Sequence, residues 1–455
     1  MHSKQEIAWG VAMSAPQTEG ATQKQGRGLS VWDEYALKRK RRQDCQKPNM
    51  LNGVNFFEHY EEDVKLMASL GIRHFRTSFS WSRIMPEGTG AINPDGIDFY
   101  HRLLDACEIH GVTPWITIYH WDLPAKLQQL GGWTNRKILQ WFHEYVDILI
   151  KNFGHRINYW MVLNEPLAFT GAGYFLGVHA PEKRGMKQFL PTVLHASLVQ
   201  AQAIHQLKSS LPQVQVGTTF SMSPIDPYRI GGRDRRAAMR LDAVYNRLFL
   251  EPLLGYGFPT DVMPLFNRLY KLMLPGDEEQ LNATPDFVGI QNYTREVARH
   301  AWYIPYVKAR LVAAKNRQVN TSAMGWEIND FSLKRSIERV HELSSKTAIV
   351  ITENGLATSP KPINEALEDD ERITYLNRQA NMVKQLKNKG LPIHGYFVWS
   401  WLDNVEWAEG FRPKFGLIHV AENKHMTRSA KKSAYWYGQW CIEQNKQPFD
   451  ESKAS

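Results

Sequence analysis

The chain has 455 residues, 43% hydrophobic and 12% aromatic, enough to bury a large core, while length alone allows one elaborated α/β barrel or about three domains. Its net charge of +9 leans on one run, Lys38-Arg39-Lys40-Arg41-Arg42, without which 50 bases face 46 acids. With no RNA- or DNA-reading module beside it, that run is expected to be solvated surface, and no nucleic-acid partner is expected. Cys45, Cys107 and Cys441 are too widely spaced for a disulfide framework or a zinc site. Residues 1–6 contain no signal-peptide core and no stretch reaches the roughly 18 apolar residues of a membrane span, so a soluble, cytoplasmic protein without a membrane partner is expected.

Residues 10–15 read as the first strand. Tyr60, Val64 and Met67 then recur at helical spacing, Gly71 closes the turn, and residues 72–79 read as a strand. The same order returns in Phe99, Leu103 and Ala106, then Gly111, then the run 112–119. It returns again in Trp141, Tyr145 and Leu149, then Gly154, then the run 157–163. Runs 214–220, 287–291, 348–352 and 393–399 complete eight strands, with helical stretches between most of them, and 361–372 reads as a surface loop leading into a helix. Eight alternating units predict an α/β fold, a closed (β/α)8 (TIM) barrel, in preference to an open doubly wound sheet. No linker or composition break divides the chain, so residues 1–455 are expected to form one catalytic domain with elaborated βα loops. Its active site is expected at the carboxyl ends of the strands.

Two of these strands run into the same residue types: 157–163 into Asn164-Glu165-Pro166, and 348–352 into Glu353-Asn354-Gly355. One glutamate behind a strand often just opens the next helix, where the dipole favours it. Two of them, each beside an Asn and each stopped by Pro or Asn-Gly, put a pair of carboxylates at one barrel mouth. Glycoside hydrolysis needs that pair, because its oxocarbenium-like transition state calls for one carboxyl to protonate the leaving oxygen and another to meet the anomeric carbon. Asn164 stands where an amide could bond a sugar's 2-hydroxyl. The 15 Trp and 18 Tyr exceed what a core alone needs and suit the C–H faces of a sugar.

From Gln17 to at least Leu417, with many separated motifs in order, the chain resembles the family 1 glycoside hydrolases, the β-glucosidase family. The resemblance implies that Glu165 is the acid/base and Glu353 the nucleophile, with Arg76 and Tyr293 contacting Glu353 and favouring its charged form. It implies a sugar site of Gln17 in Pro16-Gln17-Thr18-Glu19-Gly20, His120 and Trp121 ahead of Asp122-Leu123-Pro124, Asn164, Trp399, Glu406 and Trp407, and Phe415 before Gly416-Leu417. Singly, a Gln or His at a strand end is usually a satisfied polar group and a Trp is usually core; jointly and in strand order, they form a site.

The implied activity is a retaining exo-β-glycosidase acting on small β-glucosides, and on β-galactosides or β-fucosides, with the two carboxyls about 5 to 5.5 Å apart. No metal and no organic cofactor is expected. A 6-phospho-β-glycosidase is the nearest alternative, and the carboxylate of Glu406 speaks against it. A non-catalytic sugar- or partner-binding protein on the same fold is another, against which both glutamates stand intact. The chain departs from the family at Gln291-Asn292-Tyr293, commonly Asn-Tyr-Tyr, at Arg76-Thr77-Ser78, usually Arg-Phe-Ser, and at Asn55-Phe56-Phe57-Glu58-His59, usually Asp-x-Tyr-His-Arg. The natural aglycone and the oligomeric state are not legible in the sequence.

Overall fold

Eight parallel strands close on themselves in the computed structural model, which describes residues 6–41, 51, 53–423 and 425–446. They are Ala8–Ala12 (β1), His74–Ser78 (β2), Thr113–Tyr119 (β3), Tyr159–Asn164 (β4), Gln215–Ser221 (β5), Phe287–Gln291 (β6), Ala348–Asn354 (β7) and Ile393–Trp399 (β8). Each pairs with its successor in the chain, and β1 pairs with β8 in the register Ala8 to Gly395 through Ala12 to Trp399. Helices Phe56–Ser69 (α1), Pro94–Ile109 (α2), Ile138–Phe153 (α3), Met186–Ser210 (α4), Ser332–Leu343 (α5), Asp370–Asn388 (α6) and Lys432–Lys446 (α7) follow the strands, with only shorter helices between β5 and β6. This is a (β/α)8 barrel.

The helical spacing read from sequence marks the faces that pack on the barrel. Val64 and Met67 of α1, Phe99, Leu103 and Ala106 of α2, and Trp141, Tyr145 and Leu149 of α3 are all buried. Asn93 and Pro94 start α2, the proline's fixed φ and missing N–H suiting a first turn. Gly71 and Gly111 end their helices in left-handed turns, at φ 87° and 63°. Gly154 sits in the same sequence slot at φ −58° and serves differently: a Cβ there would stand 2.6 Å from the Ile150 carbonyl oxygen and 2.8 Å from Leu211. Inside the barrel Trp115 lies flat on Tyr159 at 3.7 Å and edge-on to Phe397 at 5.0 Å. These rings fill the interior because Gly10 and Gly217 leave room; a Cβ at either would meet Phe397 at 2.7 Å or Phe287 at 2.5 Å.

Two expectations change. The first strand lies at Ala8–Ala12 instead of 10–15, because Pro16 sets a helical turn at Ala15–Thr18 and draws the chain out of the sheet. The stretch 361–372 is not simply a surface loop. It holds the helix Ile363–Leu367 and the first turn of α6, where buried Arg372 bonds Asp369 at 2.8 Å and the Lys414 carbonyl at 2.7 Å. Cys45, Arg42 and residues 1–5 lie outside the described residues, as do the side chains of 39–41. Among the described residues, Cys107 and Cys441 are free and buried, no helix is long and apolar enough to cross a membrane, and no group of three or more His, Cys, Asp or Glu could hold a metal ion.

Candidate active site

The carboxyl ends of the strands surround a cavity of ≈ 340 Å³. Ten residues singled out in the sequence line it: His120, Trp121, Asn164, Glu165, Tyr293, Glu353, Trp399, Glu406, Trp407 and Phe415. Arg76 lies beneath, fully buried in the middle of β2, and reaches the cavity only through its partners. Gln17 is also fully buried and is not on the cavity wall. Its amide donates to the Val405 carbonyl at 2.8 Å and accepts from Ser14 at 2.6 Å, so it joins the first strand end to the loop carrying Glu406.

Glu353 belongs to β7, where the register against β6 slips between Ile351 and Glu353. That bulge re-aims the side chain as bulges beside active sites do. Its Oε1 accepts from Arg76 and, at 2.7 Å, from Gln291 Nε2; its Oε2 accepts from the Tyr293 hydroxyl at 2.7 Å. Glu165 follows directly on β4 with its backbone at φ 43°, and its N–H donates to the Thr219 carbonyl of β5 at 3.0 Å. Trp121 at φ 79° and Trp407 at φ 41° share this left-handed backbone, which non-glycine residues adopt only at a cost.

Burial pushes the Glu165 carboxyl up to about 8, with the Glu353 charge adding to it and a Ser221 hydrogen bond opposing. Burial raises Glu353 as well, against the Arg76 charge and the bonds from Arg76 and Tyr293. Three donors hold the charged form of Glu353, so the proton shared by this pair rests on Glu165. Glu406 is pushed up to about 8 by burial and by Glu353, with a bond from Trp399 opposing.

Asn164 ties the parts together. Its Oδ1 accepts from Arg76 at 2.6 Å and from Gln291 at 2.6 Å, and since Arg can only donate, Nδ2 must face His120 Nε2, 3.1 Å away. Nε2 of His120 is then the acceptor, and its buried Nδ1, without a partner among the described residues, carries the proton. Burial and the Arg76 charge hold this imidazole well below its ordinary range, hence neutral. Trp121 donates to the Asn164 carbonyl at 2.8 Å and packs on Trp407 at 4.3 Å, while His120 stacks between Trp399 and Trp407 at 6.0 and 5.9 Å.

Behind Phe415, buried Lys431 bonds Asp403 at 2.8 Å and the Gly416 carbonyl at 2.7 Å, fixing the loop. Gly355 abuts the same loop: an added Cβ would stand 2.0 Å from the Trp399 carbonyl oxygen. Gly355→Ala is therefore expected to destabilise the fold by about 1–3 kcal/mol, read as a lower denaturation midpoint at unchanged slope. An unchanged midpoint would mean that the Trp399 segment yields freely.

Sequence reasoning passed over Ser221, Tyr245, Glu296, Met324 and Trp326, which line the cavity, and treated Gln291 only as a departure from pattern. Gln291 ends β6, so the strand-end logic that picked out Glu165 applied to it equally. Ser221 likewise ends β5, Tyr245 and Glu296 come from a helical turn and a short strand outside the barrel, and Met324 and Trp326 come from a loop, where no periodicity marks them.

A family model described as Glycosyl hydrolase family 1 matches residues 2–447. A 1,4-beta-D-glucan glucohydrolase of Thermotoga neapolitana is 35% identical over 438 residues, 94% of this chain and 96% of that protein. Beta-glucosidase A of Thermotoga maritima is 34% identical over 94% of this chain and 95% of its own length. The solved structure of a Thermotoga maritima family 1 glycoside hydrolase, complexed with a cyclophellitol analogue transition state mimic, superposes with a TM-score of 0.90 at 32% identity, covering 97% of this chain and 99% of that one. Agreement over nearly the whole length in sequence and in barrel architecture means that the chain belongs to glycosyl hydrolase family 1 and is a glycoside hydrolase.

Proposed function

We propose that the protein is a retaining exo-β-glucosidase in which Glu165 is the acid/base and Glu353 the nucleophile. The observation that carries this reading is the asymmetry between two carboxyls in one cavity, Glu353 gripped by Arg76, Gln291 and Tyr293 and Glu165 pushed up to about 8. In the first step an oxygen lone pair of Glu353 attacks the anomeric carbon. The bond to the leaving oxygen breaks, and that oxygen takes its proton from Glu165, leaving a glycosyl ester on Glu353 and a carboxylate on Glu165. Esterification removes the Glu353 charge, which no longer disfavours ionisation of Glu165. In the second step Glu165 takes a proton from water, whose oxygen displaces Glu353 and restores the starting enzyme. Double displacement from a carboxyl separation of about 5 to 5.5 Å retains the β configuration.

On this reading neutral His120, Asn164, Trp121, Trp399, Glu406, Trp407 and Phe415 hold the first sugar, and Gln17 holds the loop from which Glu406 projects. Substrates are small β-glucosides, with β-galactosides and β-fucosides as slower ones, and the chain works as one catalytic unit in the cytoplasm. The names of the Thermotoga relatives support the glucoside preference. The 6-phospho-β-glycosidase alternative is disfavoured because Glu406 shares the cavity with Glu165 and Glu353 and, among the described residues, no Lys or Arg lines it to neutralise a phosphate. Aryl β-glucoside is expected to be hydrolysed at least tenfold faster than its 6-phosphate, with β-glucose as the first product by NMR. Faster turnover of the phosphate, or α-glucose as first product, overturns the reading; binding without release points to a sugar-binding protein.

A further inference from the structure

One face outside the barrel combines exposed rings with unpaired bases. The strand Glu296–His300 runs antiparallel to Ala309–Leu311 and parallel to Ile225–Pro227, and the helix Gly232–Asp242 packs on this small sheet through Ala237, Ala238 and Leu241 against Ala298 and Ala309. The turn 301–308 joins the two antiparallel strands and is pinned to that helix at both ends. Asp234 accepts from the His300 N–H at 2.9 Å and from Arg229 at 2.7 Å, while Arg240 donates to the carbonyls of Val307 and Lys308.

The pinned turn offers apolar side chains to solvent. Trp302 is 79% exposed and Tyr303 61%, and Ile230, in the bend that Arg229 and Asp234 hold beside His300, is 87% exposed. Met239, on the outer side of the helix, and Tyr306 are exposed as well. Tyr306 at φ 62° and Lys308 at φ 47° take left-handed backbone without glycine, a costly conformation that persists only where surrounding bonds impose it. An exposed apolar patch rimmed by polar groups marks a contact surface.

Charge says what kind. Residues 225–247 and 295–317 hold 12 of the 55 Lys and Arg against 4 of the 46 Asp and Glu, which leaves the rest of the chain, outside the 38–42 run, at −4. Asp226 and Asp234 are already bound by Arg295 and Arg229, whereas Arg233, Arg235, Arg236 and Lys308 are exposed and form no ion pair among the described residues. Bases around exposed Trp, Tyr and Ile complement an anionic bilayer, where aromatic rings settle at headgroup depth and each nearby Lys or Arg strengthens binding about fivefold. Trp302 and Tyr303 stand at 88° to one another, which gives successive nucleic-acid bases no stacking platform. A second copy on the same face would set like charges against each other. The expectation of no membrane partner rested on the lack of a spanning stretch, which a surface contact does not need.

We propose that this face docks the protein on anionic lipid membranes, with Ile230, Trp302 and Tyr303 entering the headgroup layer and Arg233, Arg235, Arg236 and Lys308 meeting the lipid phosphates. Glu296, at the start of the same small strand, lines the catalytic cavity, so docking brings the barrel mouth close to the bilayer. The test is co-sedimentation of the full chain with vesicles of equal parts phosphatidylcholine and phosphatidylglycerol. Wild type is expected to sediment with them at low salt, to be released as salt rises, and to leave pure phosphatidylcholine vesicles unbound. Trp302→Ser combined with Tyr303→Ser is expected to weaken partitioning by about tenfold or more, and Arg235→Gln combined with Arg236→Gln by a similar factor. An unchanged melting midpoint shows that each variant has folded.

A wild type that ignores the mixed vesicles, or binds pure phosphatidylcholine equally well, overturns the proposal. So does binding that survives both double variants and is lost when residues 38–42 are neutralised. Displacement of the vesicles by a single-stranded oligonucleotide, or a concentration-dependent dimer that Trp302→Ser abolishes, overturns it in favour of nucleic acid or a second copy. None of these readouts depends on the glycosidase reading.

Discussion

Glu353→Ala is expected to lower kcat on an aryl β-glucoside by on the order of 10⁴-fold or more. Alanine leaves no atom to form the glycosyl ester, and the donors Arg76, Gln291 and Tyr293 lose the carboxylate they converge on. Azide fits the vacated place as a small anion drawn by Arg76, and it attacks the anomeric carbon from the side opposite the leaving group. Adding azide should therefore restore turnover and yield the α-glycosyl azide, with its configuration read by NMR. An unaffected kcat, or a β-azide, would remove Glu353 from the nucleophile's role.

The second large effect falls on Glu165. Replacing it by Gln is expected to lower kcat/KM by about 10²- to 10⁴-fold for substrates whose leaving oxygen needs a proton, and far less for a dinitrophenyl glucoside that leaves unaided. The wild-type pH profile follows from the carboxyl held at about 8: the acid form persists below that value, and kcat/KM falls as pH rises through it. Glu406 is raised into the same range and is the rival source of that limb. Glu165→Gln assayed on the dinitrophenyl substrate decides between them, since a limb that survives unchanged belongs to Glu406.

Stability carries the same sign. A carboxyl raised from an unfolded value near about 4.3 adds to stability below that pH, and the gain is lost as pH rises through about 8. The Gln variant should therefore unfold at a higher temperature than wild type at alkaline pH.

The barrel was legible because its strands are bounded apolar runs and its first helices keep a 3.6-residue period, as Phe99, Leu103 and Ala106 illustrate. Both glutamates were legible because each stands at a strand end. What sequence alone could not supply was the third dimension of the loops. Glu296 and Tyr245 are 51 positions apart and meet only because Ala298 packs on the helix that leads to Tyr245. Arg372 looked like part of a surface loop leading into a helix, and its bonds to Asp369 and to the Lys414 and Gly416 carbonyls account for its burial. Gly154 matched Gly71 and Gly111 in position and differs in cause, a distinction that lies in the neighbouring Leu211 and in no residue beside it. Gln17 shows the reverse limit: the motif singles it out, while its hydrogen bonds to Ser14 and Val405 are visible only in the structure.

Trp121, Glu165 and Trp407 surround one hollow, and each bends its main chain against the preference of an L-amino acid, at roughly 1–3 kcal/mol apiece. Laboratory evolution under heat selection alone would drift these three positions toward glycine or asparagine, gaining robustness by blunting the tools they aim. Thermal hardening of this enzyme is better sought on the outer helices, well away from the rim.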